Sequence, residues 1–163
     1  MRLSAGLLLY RRRAGRLEVL VAHPGGPFFQ QKDEGYWSIP KGEPKRSEDL
    51  LGAAQREFLE ETGFAPAGPF VPLTPVVQKG GKRVHAWVAE ADWDPATLVS
   101  NTFKMEWPPR SGKKREFPEI DRAAWCTLEE ARRKLKPAQA AWLDELEALV
   151  GARGASAVEP SRR

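Results

Sequence analysis

The chain has 163 residues and a mass of 18.2 kDa, the size of one ordinary domain. Its hydrophobic content of 41% is enough for a buried core, and its apolar runs are too short to span a bilayer. The net charge of +4 comes from scattered clusters rather than one basic stripe, which argues against a dedicated nucleic-acid-binding domain. The N-terminus lacks the pattern of a secretory signal. We therefore expect a soluble, cytoplasmic, single-domain protein.

Charge and cysteine content narrow the chemistry further. The basic residues form three short clusters in loop-like segments, at residues 11–13, 79–83 and 113–115. Each cluster is either a solvated turn or a contact for a polyphosphate, because a modest positive field attracts small anions as well as polymers. The single cysteine, Cys126, has no partner for an internal disulfide and is expected to be a buried, chemically silent thiol.

The first part of the chain predicts a β-hairpin followed by a loop. Two apolar runs at residues 3–10 and 17–22 are typical of strands, and the turn between them falls near Gly15. Residues 23–27 contain two prolines and two glycines, which predict a loop. A further short strand is expected at residues 37–39.

A helix is predicted next, over residues 48–62. Ser47 suits its N-cap, because a hydroxyl there can accept a hydrogen bond from the first turn. Glu48 and Asp49 place negative charge where the helix dipole favours it. Gly63 supplies the C-terminal stop.

The middle of the chain predicts more strands and one long connection. Residues 71–77 and 84–89 are strand-like on either side of a Lys-Gly-Gly-Lys turn. Residues 92–121 form a connection of a length that is usually functional or mobile. A last short strand is expected at residues 123–126.

The C-terminal part predicts helix and then a tail. Thr127 and Glu130 have the spacing of a capping box, and Pro137 suits the first turn of a second helical segment that reaches about Val150. Residues 151–163 have little to bury and are expected to be a disordered tail. The elements together predict an α/β (α+β) domain over residues 1–150, with a mixed sheet covered by helices on both faces.

The helix at residues 48–62 carries carboxylates where its periodicity predicts core residues. A row that begins at Leu50 continues into Glu57 and Glu61. Neither glutamate has a lysine or arginine at helical spacing, whereas Glu60 has Arg56 four residues earlier. A solvated acidic face is the simpler interpretation, but such a face would normally mix both signs of charge. The cluster therefore favours a site for a hard divalent cation such as Mg²⁺, which prefers oxygen ligands.

The segment over residues 42–64 resembles the Nudix box at every defined position. Gly42 is followed after five residues by Glu48, and after seven more by Arg-Glu-Phe-Leu-Glu-Glu-Thr-Gly-Phe. The resemblance implies an α/β/α sandwich in which the box forms a loop, a helix and a second loop. It also implies a hydrolase that cuts a phosphoanhydride bond in a nucleoside diphosphate derivative, with Mg²⁺ as cofactor and Mn²⁺ as a substitute.

The same resemblance implies roles for individual residues. The implied metal ligands are the box carboxylates and one backbone carbonyl, namely Glu57, Glu60, Glu61, Glu48 and the carbonyl of Lys41. Arg56 is implied to hold the cluster together through ion pairs. The general base of the family varies between a box glutamate and a carboxylate from the loop before the last strand, where Glu116 and Glu119 lie. The alternative is that both glutamates are ordinary surface residues of a charged loop.

The segment before the box bears on the substrate. Residues 37–42, Trp-Ser-Ile-Pro-Lys-Gly, resemble the lead-in of the branches that hydrolyse dinucleoside polyphosphates and diphosphoinositol polyphosphates. In that segment Lys41 is either a phosphate contact or a surface lysine. The tyrosine that the dinucleoside branch commonly carries after the box is absent, because the only tyrosines are Tyr10 and Tyr36.

The expected ligand is a small-molecule nucleotide, with a dinucleoside polyphosphate or a nucleoside triphosphate as the favoured substrate. Phe28, Phe29 and Trp37 either stack on its base or pack in the core. A membrane or nucleic-acid partner is not expected, and the protein is a monomer or a homodimer. The alternative is a non-catalytic Nudix-like module that binds a nucleotide or RNA. Loss of a box glutamate would mark such a module, and none is lost here.

Overall fold

A computed structural model describes the backbone of residues 2–161 and the side chains of residues 2–151. In that part of the chain the strands are β1 (Leu3–Arg13), β2 (Arg16–Pro24), β3 (Lys41–Gly42), β4 (Val71–Pro72), β5 (Val76–Val77), β6 (Arg83–Glu90), β7 (Thr102–Glu106), β8 (Lys114–Pro118) and β9 (Ile120–Thr127). The α-helices are α1 (Leu50–Thr62), α2 (Leu128–Lys134) and α3 (Ala141–Ser161), and the short 3-10 helices are Pro95–Thr97 and Pro137–Ala140.

The main sheet has seven strands and is mixed, as the sequence predicts. Its order is β4-β6-β1-β2-β9, with β3 paired to β1 and β5 paired to β6. The pairing of β1 with β6 is parallel, and the other pairings are antiparallel. Strands β7 and β8 form a separate two-stranded sheet. The small strand β3 is important for the site because it leads into the acidic segment.

Helices cover the main sheet on both faces, which confirms the predicted fold class. Alternate residues of β1 point to opposite faces. Leu8 belongs to a core that includes Trp142 of α3, and Leu7 belongs to a core that includes Phe58 of α1. Burying these side chains stabilises each layer by roughly 1.5–3 kcal/mol per large residue. Helix α1 is therefore fixed on one face of the sheet, and its Glu57 lies against Gly42 of β3.

The predicted hairpin is present, with its turn at Ala14 and Gly15. Both residues have positive φ, 55° and 75°, as a two-residue hairpin turn of this hand requires. The predicted loop at residues 23–27 begins too early, because β2 continues through Pro24 and pairs with β9. Proline is tolerated there because it is the last residue of the strand.

The predicted strand at residues 37–39 is wrong. Trp37 and Ser38 make only isolated bridges, to Leu135 and Ala22, and the next strand is β3. The predicted strand at residues 71–77 is also wrong as a single element. It is divided into β4 and β5, which pair with different parts of β6.

The start of the acidic helix differs from the prediction. Asp49, not Ser47, is the N-cap of α1, and its carboxylate accepts a hydrogen bond from the Gly52 N–H. Ser47 has φ of 66° and lies in the turn before the helix. Glu48 is therefore not in the first turn but is free to reach Arg56. The predicted stop at Gly63 is confirmed, with φ of 83°.

The remaining elements follow the sequence more closely. The long connection at residues 92–121 contains the β7–β8 hairpin, which the prediction missed, and β9 extends the last predicted strand at both ends. The capping box of Thr127 and Glu130 is present, and Pro137 opens a 3-10 helix.

Helix α3 continues beyond Val150, where the sequence predicts the end of helix. The predicted tail at residues 151–163 falls almost entirely outside the described side chains. No helix of the described part is long and apolar enough to cross a membrane.

Candidate active site

A cavity of about 700 Å³ lies beside the C-terminal half of α1. It brings together residues from distant parts of the chain. Its polar and charged lining includes two carboxylates and three lysines, and two aromatic rings stand at its side: Glu61, Glu119, Lys41, Lys79, Lys136, Phe29 and Tyr36. A volume in this range suits a nucleotide-sized ligand.

Arg56 organises the acidic residues at one side of the site. Its Nε and Nη2 atoms donate to the two oxygens of Glu48 at 2.8 and 2.9 Å, and its Nη1 donates to Glu57 at 2.9 Å and to Glu60 at 3.2 Å. Its Nη2 also donates to the Glu43 carbonyl at 3.1 Å. The hydrogen bonds to Glu48 and Glu57 raise the pKa of Arg56, and those from Arg56 and the backbone N–H of Lys45 lower the pKa of Glu48 to about 2.

This network corrects one step of the sequence argument. Helical spacing predicts no cation for Glu57, yet the long side chain of the neighbouring Arg56 reaches its carboxylate. It also changes the surroundings of Glu48. Both oxygens of Glu48 are occupied by Arg56, so its predicted contact with a metal ion would require it to share those oxygens.

The box glycine, Gly42, is required by the position of Glu57. A Cβ atom at Gly42 would lie 2.0 Å from Cδ of Glu57 and 2.3 Å from its Oε1. The glutamate carboxylate therefore lies directly against Gly42 of β3. The Glu57 side chain is only 16% exposed, as its place on the predicted core-facing row requires.

Glu61 is the most strongly perturbed carboxylate of the site. Burial, together with the charges of Glu57 and Glu119, raises its pKa to about 8 against the opposing effects of Lys41. The backbone N–H of Lys41 donates to it. Glu57, Glu61 and Glu119 are thus close enough to repel one another, although Glu119 is 58 residues after Glu61 in the sequence.

The two candidate bases from the connection at residues 92–121 lie in different places. Glu119 lines the cavity, and burial followed by the charge of Glu57 raises its pKa. Its N–H donates to the Asn101 carbonyl, and its carbonyl accepts from the Gly25 N–H, both at 2.9 Å. Glu116 lies on the exposed β8 strand and accepts a hydrogen bond from Thr102 Oγ1 at 2.8 Å. The structure therefore brings Glu119 to the acidic cluster and leaves Glu116 outside the cavity.

The donor atoms suit a hard divalent cation. Within the described residues, no three acidic, histidine or cysteine side chains form a ready-made metal cage. The carboxylates of Glu57 and Glu61 nevertheless converge on the Lys41–Gly42 backbone, where the absence of a Cβ atom leaves the room that Glu57 uses. Carboxylate and carbonyl oxygens are the ligands that Mg²⁺ prefers, and a cation there would offset the repulsion between the glutamates.

The three aromatic residues that the sequence offers for stacking on a base lie in different places in the structure. Trp37 is only 6% exposed, and its Nε1 donates to Asp33 at 2.8 Å, so it packs in the core. Phe28 is exposed and makes an edge contact with Trp107, outside the lining of the cavity. Phe29 does line the cavity.

Sequence reasoning missed one aromatic neighbour of Phe29. The ring of Tyr36 lies 6.4 Å from the ring of Phe29 and lines the same cavity. Its place in the segment before the box was the available signal.

The basic clusters and the cysteine also have defined surroundings. Arg11 pairs with Glu18 and Asp92, so the first cluster is not simply a solvated turn. Lys79 of the second cluster lines the cavity, and the third cluster lies at the exposed end of the β7–β8 hairpin.

Cys126 is buried, as predicted, and burial raises the pKa of its thiol to about 11, which keeps it protonated near neutral pH.

A family model described as a NUDIX domain matches residues 1–146. The sandwich and the box helix define a protein of the Nudix fold. The chain belongs to the Nudix family, and at the level of that family it is a pyrophosphohydrolase.

Solved structures share this fold. An Ap4A hydrolase from C. elegans, in a binary complex, is similar at 23% identity and a TM-score of 0.63, over 91% of this chain and 98% of that one. The Nudix hydrolase RenU from M. smegmatis is similar at 25% identity and a TM-score of 0.59, over 93% and 86%. The NUDIX domain of NrtR from Shewanella oneidensis, complexed with ADP ribose, is similar at 16% identity and a TM-score of 0.58, over 94% and 87%.

Proposed function

We propose that this chain is a Mg²⁺-dependent hydrolase that cuts a phosphoanhydride bond in a nucleoside diphosphate derivative. The observation that carries the proposal is the convergence of Glu57 and Glu61 on the Lys41–Gly42 backbone, with Glu119 near them at the wall of a cavity that also contains lysines. In addition to burial, the charges of Glu57 and Glu119 raise the pKa of Glu61 even though Arg56 and Lys41 are close, and clustered carboxylates of this kind favour a metal-ion site over a solvated face.

Each residue of the site has a defined part in this proposal. Glu57, Glu61 and the Lys41 carbonyl would hold the cation, with Glu60 as a further ligand. A divalent cation supplies charge neutralisation at the phosphate oxygens and lowers the pKa of a coordinated water. Arg56 fixes the position of Glu57 through its hydrogen bond and is itself held by Glu48.

Glu119 is the general base we favour over Glu116. It lies in the cavity near Glu57, and burial raises its pKa toward the range in which a carboxylate accepts a proton effectively. Its backbone is held by hydrogen bonds on both sides, so the carboxylate is well positioned to take a proton from an attacking water. Glu116 lacks this placement.

The substrates we favour are dinucleoside polyphosphates and nucleoside triphosphates. The solved C. elegans protein with the same fold is an Ap4A hydrolase, which agrees with the lead-in before the box. Phe29 and Tyr36 offer aromatic surface for a base at the side of the cavity. The retained box glutamates favour this enzyme over the non-catalytic binding module.

The test is a hydrolysis screen by HPLC over nucleoside triphosphates, diadenosine polyphosphates, nucleotide sugars and inositol pyrophosphates. Wild type should release product with Mg²⁺ and lose activity in EDTA. Glu57→Gln should lose several orders of magnitude in rate, at about 1.4 kcal/mol per tenfold. Glu147→Gln, an exposed glutamate of α3, is the matched control and should keep full activity. A binding module would show no turnover of any of these compounds.

A further inference from the structure

Lys136 is a cavity residue that the acidic site does not use. It lies in the turn between α2 and the 3-10 helix Pro137–Ala140, and its backbone N–H donates to the Trp37 carbonyl at 2.9 Å. Its side chain is half-buried and lines the cavity. Among the described residues its ammonium group has no carboxylate partner. A half-buried lysine without a counter-charge is costly, so a ligand that supplies the charge is the simplest explanation.

Two more lysines lie near Lys136: Lys41, which lines the same cavity, and Lys82, which lies outside that lining. The charges of Lys136 and Lys82 both act on Lys41, and the charge of Lys82 also acts on Lys136. Burial is the main cause that lowers the pKa values of Lys41 and Lys136, and the neighbouring lysines lower them further. Lys82 has an ion pair with Glu43 at 3.3 Å, whereas Lys41 and Lys136 have none within the described part of the chain. The three lysines therefore form an anion-attracting group beside the acidic cluster.

A buried glutamine holds the three lysine-bearing segments together. Gln139 Oε1 accepts from the backbone N–H of Ile39 at 3.1 Å, and its Nε2 donates to Ser38 Oγ at 2.9 Å and to Gln78 Oε1 at 2.7 Å. Gln139 itself is 0% exposed. It thus ties the turn of Lys136 to the segment that leads to Lys41 and to the turn before Lys82. Such preorganisation reduces the entropy lost when a ligand binds.

We propose that Lys136, with Lys41 and Lys82, forms a subsite for the phosphates beyond the pair that is cut. The inference rests on the proposed function and deepens it. Lys136 would then be a specificity-determining residue that selects nucleotides with three or more phosphates in a row. A nucleoside diphosphate joined to a neutral sugar gives this group no further negative charge, so it gains little from Lys136.

The first test measures binding without hydrolysis. Inorganic tripolyphosphate is titrated into the full chain by calorimetry, in EDTA and low salt. Lys136→Met keeps the apolar stem but removes the charge, and it should weaken binding about tenfold, or about 1.4 kcal/mol. Lys136→Arg should bind nearly as well as wild type. Lys104→Ala, an exposed lysine of β7, is the charge-matched control and should not change binding. Equal affinity of wild type and Lys136→Met would overturn the subsite.

The second test measures selectivity. With Mg²⁺, Lys136→Met should raise KM for diadenosine tetraphosphate about tenfold with little change in kcat. The kinetics with ADP-ribose should stay the same. An equal loss on both substrates would assign Lys136 a general structural role and overturn the specificity. The two tests together distinguish a failure of the subsite from a failure of the proposed function. If wild type cuts neither compound but Lys136→Met still weakens tripolyphosphate binding, the proposed function fails and the anion subsite stands. If the methionine variant has a lowered melting temperature, Lys82→Ala gives the same binding test and should also weaken tripolyphosphate.

Discussion

The guanidinium group of Arg56 donates hydrogen bonds to both carboxylate oxygens of Glu48, with Nε–Oε2 and Nη2–Oε1 distances of 2.8 and 2.9 Å. This two-point contact fixes the guanidinium plane, and the remaining Nη1 atom can then reach Glu57 and Glu60. Paired, parallel hydrogen bonds of this kind add geometric definition as well as energy. The loop residue Glu48 therefore sets the position of a helical carboxylate through one arginine.

Arg56→Lys should distinguish the effect of the positive charge at this position from the effect of its hydrogen-bond geometry. Lysine keeps the positive charge but cannot make the two-point contact. We expect kcat/KM to fall about a hundredfold, since a displacement of about 1 Å in a catalytic group can cost that much. Stability should fall by only about 1 kcal/mol, because the pairs are partly exposed. Arg46→Lys, at an exposed position of the loop before α1, is the control. Full activity of Arg56→Lys would show that charge alone is sufficient.

Gly25→Ala should disturb Glu119 through its backbone. A Cβ atom at Gly25 would lie 2.0 Å from the Pro118 carbonyl oxygen, and the Gly25 N–H donates to the Glu119 carbonyl. The connection that carries Glu119 must therefore move. We expect a loss of about 1–3 kcal/mol in stability, typical of overpacking, and a clear loss of kcat.

A double variant tests whether that loss of kcat acts through Glu119. If it does, Gly25→Ala combined with Glu119→Gln should be no slower than Glu119→Gln alone. Gly151→Ala is the control, because a Cβ atom there meets nothing within 4 Å. Additive losses in the double variant would remove Glu119 from the explanation.

Added metal should stabilise the folded protein. A ligand at about a hundred times its Kd that binds only the native state adds about 2.7 kcal/mol. For a chain of this size that corresponds to a rise in Tm of roughly 5–10 °C. Thermal melts with and without millimolar Mg²⁺ or Mn²⁺ measure the rise, and Na⁺ at the same ionic strength is the control. A wild-type Tm that does not respond to either divalent cation would contradict the site.

The sequence predicted those parts of the fold that depend on local patterns. The turn at Gly15, the stop at Gly63 and the capping box of Thr127 and Glu130 rest on neighbouring residues and are present. The Nudix box identified the acidic cluster because its spacing is fixed within one helix and its flanking loops. Asp49 rather than Ser47 caps the helix, and Glu48 lies before the helix and binds Arg56, a contact that no local rule predicts.

The rest of the site depends on contacts between distant segments. Glu119 and Lys136 reach the cavity only because β9 pairs with β2 and the 3-10 helix at Pro137 packs near Ile39. Hydrogen bonds of Gln139, which span 61 to 101 residues, hold this arrangement. A single sequence carries no pattern for such pairings, so Glu116 and Glu119 were indistinguishable before the fold was known.

The residues after Gly151 should be dispensable for both the stability and the activity of the domain. Val150 is 3% exposed and is the last buried residue among the described side chains, and its carbonyl accepts from Arg12 at 3.3 Å. We expect a chain that stops after Gly151 to keep its Tm within a few degrees and its full turnover. Melting curves and kcat of the shortened and full chains provide the comparison. A fall in Tm of more than about 10 °C, roughly 3 kcal/mol or more, would show that the removed residues stabilise the fold.

Glu61→Gln should lower activity and raise metal-free stability together. In the folded state burial and the charges of Glu57 and Glu119 raise the pKa of Glu61 to about 8 from a usual value of 4.5. The folded protein therefore holds this proton more tightly than the unfolded chain does. The stability that Glu61 contributes without metal is therefore fully present below about pH 4.5 and is lost as the pH rises to about 8.

Glutamine keeps the shape of Glu61 and removes this charge, so in EDTA the variant should have a Tm higher than wild type at pH 8 and similar to wild type at pH 5. Glu57→Gln is the less clean comparison, since it also loses the hydrogen bond from Arg56. With Mg²⁺ the order should reverse. The variant lacks one oxygen ligand, so it should gain less Tm from the metal and hydrolyse the substrate slower by several orders of magnitude, at about 1.4 kcal/mol per tenfold. An acidic residue on a solvated face would show neither the rise at pH 8 nor the loss of rate. A Glu61→Gln variant with a lowered metal-free Tm at pH 8 and full activity would exclude Glu61 from the metal site.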